Sequence, residues 1–250
     1  MAGFDKGAPK PMEGKRQSPI NIRYADSKYD AKLDESSWKF EYDSNDLIEI
    51  NNNGYTWTVK CRDRAASTVS ASHLPAVFKL VQFHAHWGSS SWNGAEHLVE
   101  NKGFASELHF VHYNANYGSF EQALSHGDGL AVVGVFLEED AHNTDNADLK
   151  PLIDCLKRCK HKGEATRFVQ NFDATKLLPT NKSFWTYLGS LTTPPYTECV
   201  IWNLFRETIP ISFNQLKVLR DLNPSNARAV QPIGSRQVCA SFELGGHSRD

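Results

Sequence analysis

The sequence predicts a mainly β protein of the α+β kind, a single domain built on one extended sheet with peripheral helices. Three observations carry that reading. Runs of β-branched and aromatic residues recur along the chain, only two stretches have helical period, and nothing between the ends resembles a flexible linker. The 250 residues include 40% hydrophobic and 22% charged residues, a globular balance with ample sequence for a core. The domain is placed at residues 15–244, with loosely ordered ends at 1–14 and 245–250.

The elements follow in chain order. "DLIEI" (46–50) and "YTWTVKC" (55–61) flank the turn cluster "NNNG" and read as a hairpin. "AVFKLVQFHAHW" (76–87), "ELHFVHYN" (107–114), "GLAVVGVFL" (129–137) and "ECVIWNLF" (198–205) are apolar or alternating strand runs. "NADLKPLIDCLKRCK" (146–160) places Leu149, Leu152, Ile153 and Leu156 on one helical face. "SFNQLKVLRDL" (212–222) opens with Ser212 and Gln215 at capping-box spacing and turns Leu216 and Leu219 inward.

Composition narrows the function. Lys plus Arg is 27 against 29 for Asp plus Glu, a net charge of −2, so no basic excess is available to neutralise nucleic-acid phosphates. No apolar run approaches the roughly 18 residues of a membrane span, and the opening stretch lacks the apolar centre of a secretory signal. Five cysteines without a CxxC pair point to a reducing compartment rather than a disulfide framework. Cys155 and Cys159, four apart on a predicted helix, read as small half-buried residues.

The chemistry begins at His84 and His86. In a strand, residues two apart share a face, so Gln82 and both imidazoles project together. In the next strand Glu107 and His109 share a face, while His112 falls on the opposite one as an ordinary hydrogen-bonded residue. Metal-bound histidines give their second ring N–H to a carboxylate, amide or carbonyl. Gln82 suits that role for His84 and Glu107 for His109. Three imidazoles with no nearby cysteine form a site with an open fourth position, the catalytic rather than the structural pattern for Zn2+. Copper, cobalt and nickel fit the same donors.

These residues, with "QSPINI" (17–22), "FHAHWG", "GAEHLVE", "ELHFVHYN", "GSLTTPP" and "VCASFEL" (238–244) in order, resemble the α-class carbonic anhydrase family over nearly the whole chain. The resemblance implies a large twisted, mostly antiparallel sheet of about ten strands with short surface helices. It implies zinc at His84, His86 and His109, with Gln82, Glu107 and the backbone carbonyl of Ser235 as their outer partners. Thr192 matches the threonine that accepts the hydrogen of zinc hydroxide, and Glu96 matches the carboxylate that takes the threonine's own proton. A hydroxyl has a single proton, so Thr192 is left to accept only, which orients the nucleophile. Val111, Val132, Leu191, Val200 and Trp202 match the apolar wall for CO2, and Thr193 the bicarbonate side. His97 and Tyr187 match a buried network around Glu107.

The implied activity is reversible hydration of CO2 to bicarbonate and a proton by zinc hydroxide. Weak esterase activity, inhibition by sulfonamides and small anions, and a monomeric, cytoplasmic protein without membrane or nucleic-acid partners go with it. A mitochondrial location also fits the departures from the fast members. Those carry a histidine proton shuttle where Tyr55 stands here, and tyrosine titrates near 10, so Tyr55 is a poor proton acceptor at neutral pH. The stretch before "QSPINI" is short and lacks a usual active-site tyrosine. The cysteines of the secreted members' disulfide are absent. The Ser18–Pro19 and Pro194–Pro195 bonds are expected to be cis. The rival reading is a weak or silent carbonic-anhydrase-related binding protein, set against the survival of all three ligand positions. A dedicated zinc ester hydrolase is the second rival, without an H-E-x-x-H motif or a nucleophilic triad to support it.

Overall fold

Period-two alternation builds the centre of the molecule. In the computed structural model, which describes residues 14–244, the strands run β1 Asn21–Ile22, β2 Ser27–Tyr29, β3 Lys39–Glu41, β4 Leu47–Asn52, β5 Trp57–Cys61, β6 Thr68–Ser70, β7 Phe78–Trp87, β8 Leu98–Val99, β9 Ser106–Asn114, β10 Leu130–Glu139, β11 Ala165–Arg167, β12 Phe184–Gly189, β13 Val200–Phe205, β14 Ile209–Ile211 and β15 Val238–Ala240. Ten of them form one path, β11-β4-β5-β7-β9-β10-β13-β12-β15-β2. Seven of its nine junctions are antiparallel, with β10–β13 and β15–β2 parallel. The short strands β3, β6 and β14 pair off this path and bring the sheet to thirteen strands. β1 and β8 make a separate parallel pair.

The alternation separates two apolar layers. Phe83, Ala85 and Trp87 of β7, with Leu108 and Phe110 of β9, enter the larger core. Val111, Val132 and Trp202 enter a second cluster on the opposite face, where the histidines between those core residues also project. Phe83 and Phe110 sit opposite each other with stacked rings 5.2 Å apart, a pairing worth about 0.5–1.5 kcal/mol beyond its buried area.

Both predicted helices form, and a one-turn helix, α1 Phe120–Ala123, joins them. α2 spans Lys150–Leu156, shorter than its periodic pattern. Pro151 lies in its first turn, where a missing N–H costs nothing, and a start further back would put the proline ring against the preceding turn. Cys155 and Cys159 are fully buried rather than half-buried, and all five cysteines are free. α3 spans Phe213–Leu222 and carries the complete Ser212–Gln215 capping box, worth about 0.5–2 kcal/mol at the Ser212 cap. Its end matters for the site. Arg220 Nε donates to Gly88 O at 2.9 Å and Trp87 Nε1 to Asn223 O at 2.6 Å, so the loop after α3 is docked on the end of β7.

Both expected cis bonds, Ser18–Pro19 and Pro194–Pro195, are present. The expected loose ends lie outside the described residues apart from Gly14, as does most of the stretch before "QSPINI". Among the described residues no helix is long and apolar enough to cross a membrane.

Candidate metal centre

β7 and β9 run antiparallel with His84 opposite His109, His86 opposite Glu107 and Gln82 opposite Val111. Directly paired residues share a face, so all six side chains project together. A register shift between Leu80 and Gln82 makes this consistent. Leu80 pairs with His112 on the far face, although Leu80 and Gln82 are two residues apart. His112 accordingly leaves the cluster, with Nε2 2.7 Å from Tyr42 Oη and Nδ1 3.1 Å from Ala131 O.

The three imidazoles converge. His84 Nε2 lies 3.2 Å from His86 Nε2, and one ring nitrogen from each of His84, His86 and His109 falls within 4.8 Å of the others. Each outer nitrogen has an acceptor. His84 Nδ1 reaches Gln82 Oε1 at 2.9 Å, His109 Nε2 reaches Glu107 Oε1 at 2.7 Å and His86 Nδ1 reaches Asn226 O at 3.1 Å. The last contact corrects the sequence expectation for Ser235. That residue is exposed in a turn, whereas the loop after α3 brings the carbonyl of Asn226 to His86.

Burial and the neighbouring rings hold His84 well below the usual imidazole range. Burial brings His86 down to about 3 and also lowers His109, against the pull of Glu107. All three rings are therefore neutral at pH 7. With their protons on the outer nitrogens, three lone pairs face one another with no donor between them. That arrangement is unfavourable unless a cation takes the lone pairs, and three neutral imidazoles suit zinc.

Glu107 fixes more than His109. Its Oε1 also accepts from His97 Nδ1 at 2.7 Å, and its Oε2 from the backbone N–H groups of Glu96 and His97, both at 2.9 Å. Burial pushes this carboxyl up, but the His97 and His109 rings outweigh it and hold it well below the usual range. The network continues from His97 Nε2 to Tyr187 Oη at 2.7 Å and on to Ser18 Oγ at 2.8 Å. Opposite His109, Gly134 leaves room for the cluster. A Cβ there would meet Leu204 Cδ2 at 2.4 Å and stand 3.4 Å from Glu107 Oε1.

Thr192 and Glu96 are buried, 6% and 1% exposed, and Glu96 stands beside His86. Glu96 Oε1 accepts from Arg228 N at 2.9 Å and lies 3.3 Å from His86 Nδ1. Burial and then Glu107 push Glu96 well above the usual carboxylate range, while the Thr192 hydroxyl and Arg228 pull it down. Glu96 Oε2 makes no geometrically complete hydrogen bond, so Thr192 neighbours the carboxyl without closing a full bond to it. Val111, Val132 and Trp202 form one row of the sheet on the imidazole side. Val200 and Leu191 extend the same apolar cluster, and the Trp202 ring lies 4.8 Å from that of His109. Thr193 is half-buried in the turn that follows. Tyr55, 40% exposed, places its ring 6.3 Å from His86, edge to face.

Asn226 is the residue that sequence reasoning missed. Besides its carbonyl contact, its Oδ1 accepts from Trp87 N at 2.8 Å, and its Nδ2 donates to Tyr55 O at 2.9 Å.

Three imidazole nitrogens converging beside an apolar wall, on one face of a large sheet, define a candidate mononuclear metal centre. The chain belongs to the eukaryotic-type carbonic anhydrase family, whose model matches residues 5–242. It is similar to human carbonic anhydrase 3, with 38% identity over 92% of this chain and 91% of that protein. Identity to carbonic anhydrase 3 of Sus scrofa is 40%, with the same coverage. Identity to human carbonic anhydrase 5A, mitochondrial, is also 40%, over 92% of this chain and 78% of that protein.

Proposed function

We propose that the protein catalyses the zinc-dependent, reversible hydration of CO2 to bicarbonate and a proton, with His84, His86 and His109 as metal ligands. The observation that carries this reading is the set of three neutral imidazoles whose outer nitrogens are all paired and whose inner lone pairs converge. Bound there, zinc would supply a Lewis acid that ionises water near neutral pH, the property for which carbonic anhydrases are the reference case, and so furnish the nucleophile. Gln82, Asn226 and Glu107 hold the rings in the ligating tautomer.

With zinc bound, Thr192 would donate its hydroxyl hydrogen bond to Glu96 and could then only accept the hydrogen of the nucleophile. A lone pair would thereby be turned toward Val111, Val132, Leu191, Val200 and Trp202, where a small apolar substrate would have nothing polar to displace. Thr193 faces the bicarbonate side. The relay requires an ionised Glu96, and a dication held by the three histidines would lower the carboxyl that burial raises. Tyr55 is a poor base at neutral pH. Burial raises its pKa, Glu96 and Tyr196 add to the rise, and proton release then limits turnover.

Weak esterase activity, binding of sulfonamides and small anions at the open position, and a monomeric state belong to the same reading. The proposed location is cytoplasmic or mitochondrial, in keeping with five reduced thiols. Metal analysis with stopped-flow CO2 hydration tests the proposal. One zinc per chain and rapid hydration are expected, both lost in His84→Ala. One zinc without hydration would favour a silent binding protein, and full metal and activity in His84→Ala would refute the ligand set.

A further inference from the structure

The Asn226 carbonyl serves two donors. Tyr55 Oη–H donates to it at 2.6 Å, and His86 Nδ1–H donates to it at 3.1 Å. The tyrosine contact falls on the short side of the O–H···O range, and the histidine contact falls on the long side of the N–H···O range. It is also the longest of the three outer bonds, against 2.9 Å for His84 and 2.7 Å for His109.

The hydroxyl is not needed to hold the loop. Asn226 is already fixed by its N–H to Trp87 O at 3.1 Å, by Trp87 N to its Oδ1 at 2.8 Å and by its Nδ2 to Tyr55 O at 2.9 Å. The effect of the hydroxyl therefore falls on the carbonyl itself. A second outer acceptor, Glu96 Oε1, stands 3.3 Å from His86 Nδ1, beyond ordinary hydrogen-bond length.

We propose that Tyr55 is a positioning residue that tunes His86 through the shared Asn226 carbonyl. By taking the better share of that acceptor, the Tyr55 hydroxyl weakens the outer bond of His86. A histidine whose outer N–H is weakly held is a weaker base toward its metal. This inference rests on the metal reading of the site. It assigns the tyrosine hydroxyl an occupation other than proton transfer.

Tyr55→Phe removes the O–H and keeps the ring. Two readouts are compared with the wild-type holoenzyme: the rate at which a chelator strips zinc, and the NMR shifts of the imidazole N–H protons. The carbonyl of the variant serves His86 alone, so its Nδ1–H resonance is expected to move downfield while those of His84 and His109 stay in place. Zinc is expected to leave roughly two- to fivefold more slowly, a fraction of the effect of deleting an outer partner. A merely structural role for Tyr55 predicts the reverse, faster loss with shifts at all three histidines, and that result overturns the inference. So does an unchanged His86 resonance or an unchanged rate in a zinc-loaded variant. A wild-type protein that holds no zinc would instead fail the metal reading itself, and this inference with it.

Discussion

Glu107→Gln tests the proton arrangement on which the site depends. The carboxylate receives four donors, two backbone N–H groups on Oε2 and two imidazole nitrogens on Oε1. A carboxylate accepts all four, whereas a glutamine amide has one accepting end and one donating end. The backbone donors of Glu96 and His97 cannot change sign, so the amide oxygen must face them. The amide NH2 then points at His97 and His109, and each ring must present a lone pair there. His97 can comply by moving its proton to Nε2, beside the Tyr187 hydroxyl 2.7 Å away. His109 can comply only by moving its proton to Nδ1, the nitrogen that faces the other two ligands.

The substitution therefore sets metal binding against the hydrogen bond. Two charge-assisted bonds, each worth about 1.5–3 kcal/mol, become neutral ones worth about 1 kcal/mol. Zinc affinity is expected to fall by about 10–100-fold, the usual range for an outer partner, which is about 1.4–2.8 kcal/mol. Competition against a chelator of known affinity measures it. Zinc affinity within about threefold of wild type, well short of the usual loss, would show that Glu107 does not set the His109 tautomer.

Tyr55→His is expected to raise the maximal rate of CO2 hydration at low buffer, because an imidazole titrating near 6.5 exchanges protons where tyrosine does not. Small imidazole buffers should rescue the wild type, and absence of any gain in the variant would dismiss proton release as the limit. Thr192→Val should keep zinc and lose about a hundredfold in kcat/KM, comparable to the loss of one positioned transition-state contact; an unchanged rate would remove the relay from the mechanism. The zinc-free protein should lose stability as pH falls from about 6.5 toward 3. His86 and His112 titrate near 6.5 when unfolded but at about 3 and about 4 when folded. The unfolded chain thus binds more protons across that window, and acid favours it. A urea midpoint that stayed flat from pH 7 to 4 would contradict the neutral buried rings.

What the sequence made legible followed from period and side-chain type. Residues 82, 84 and 86 share a face because a strand imposes it, and 107 with 109 for the same reason. The pairing of His84 with His109 was not contained in that period, since it depends on the register shift beside Val81. Thr192 and Glu96 stand in loops without periodicity and were visible only through family resemblance. Ser235 failed for a different reason. The group required is a backbone carbonyl, which every residue owns, so residue type carried no signal in the coil after α3. The sheet of about ten strands implied by the resemblance matches the ten-strand path, and the three-residue strands β3, β6 and β14 pair off that path.

The same geometry makes the site depend on both ends of the described chain. One line of hydrogen bonds leaves His109 through Glu107, His97 and Tyr187 and reaches Ser18 Oγ. A second starts at the Asn226 carbonyl beneath His86. Two residues further on, Arg228 gives its N–H to Glu96 and its Nη1 to Gln17 Oε1 and Ser18 O. Both lines arrive at the turn around the cis Ser18–Pro19 bond, one from the β9 side and one from the loop after α3. The strands alone can align three imidazoles in register, but they cannot choose tautomers. That choice needs Asn226 and the residues around Ser18, which lie roughly two hundred positions apart in sequence, so ligand orientation is a property of the completed fold rather than of the β7–β9 pair.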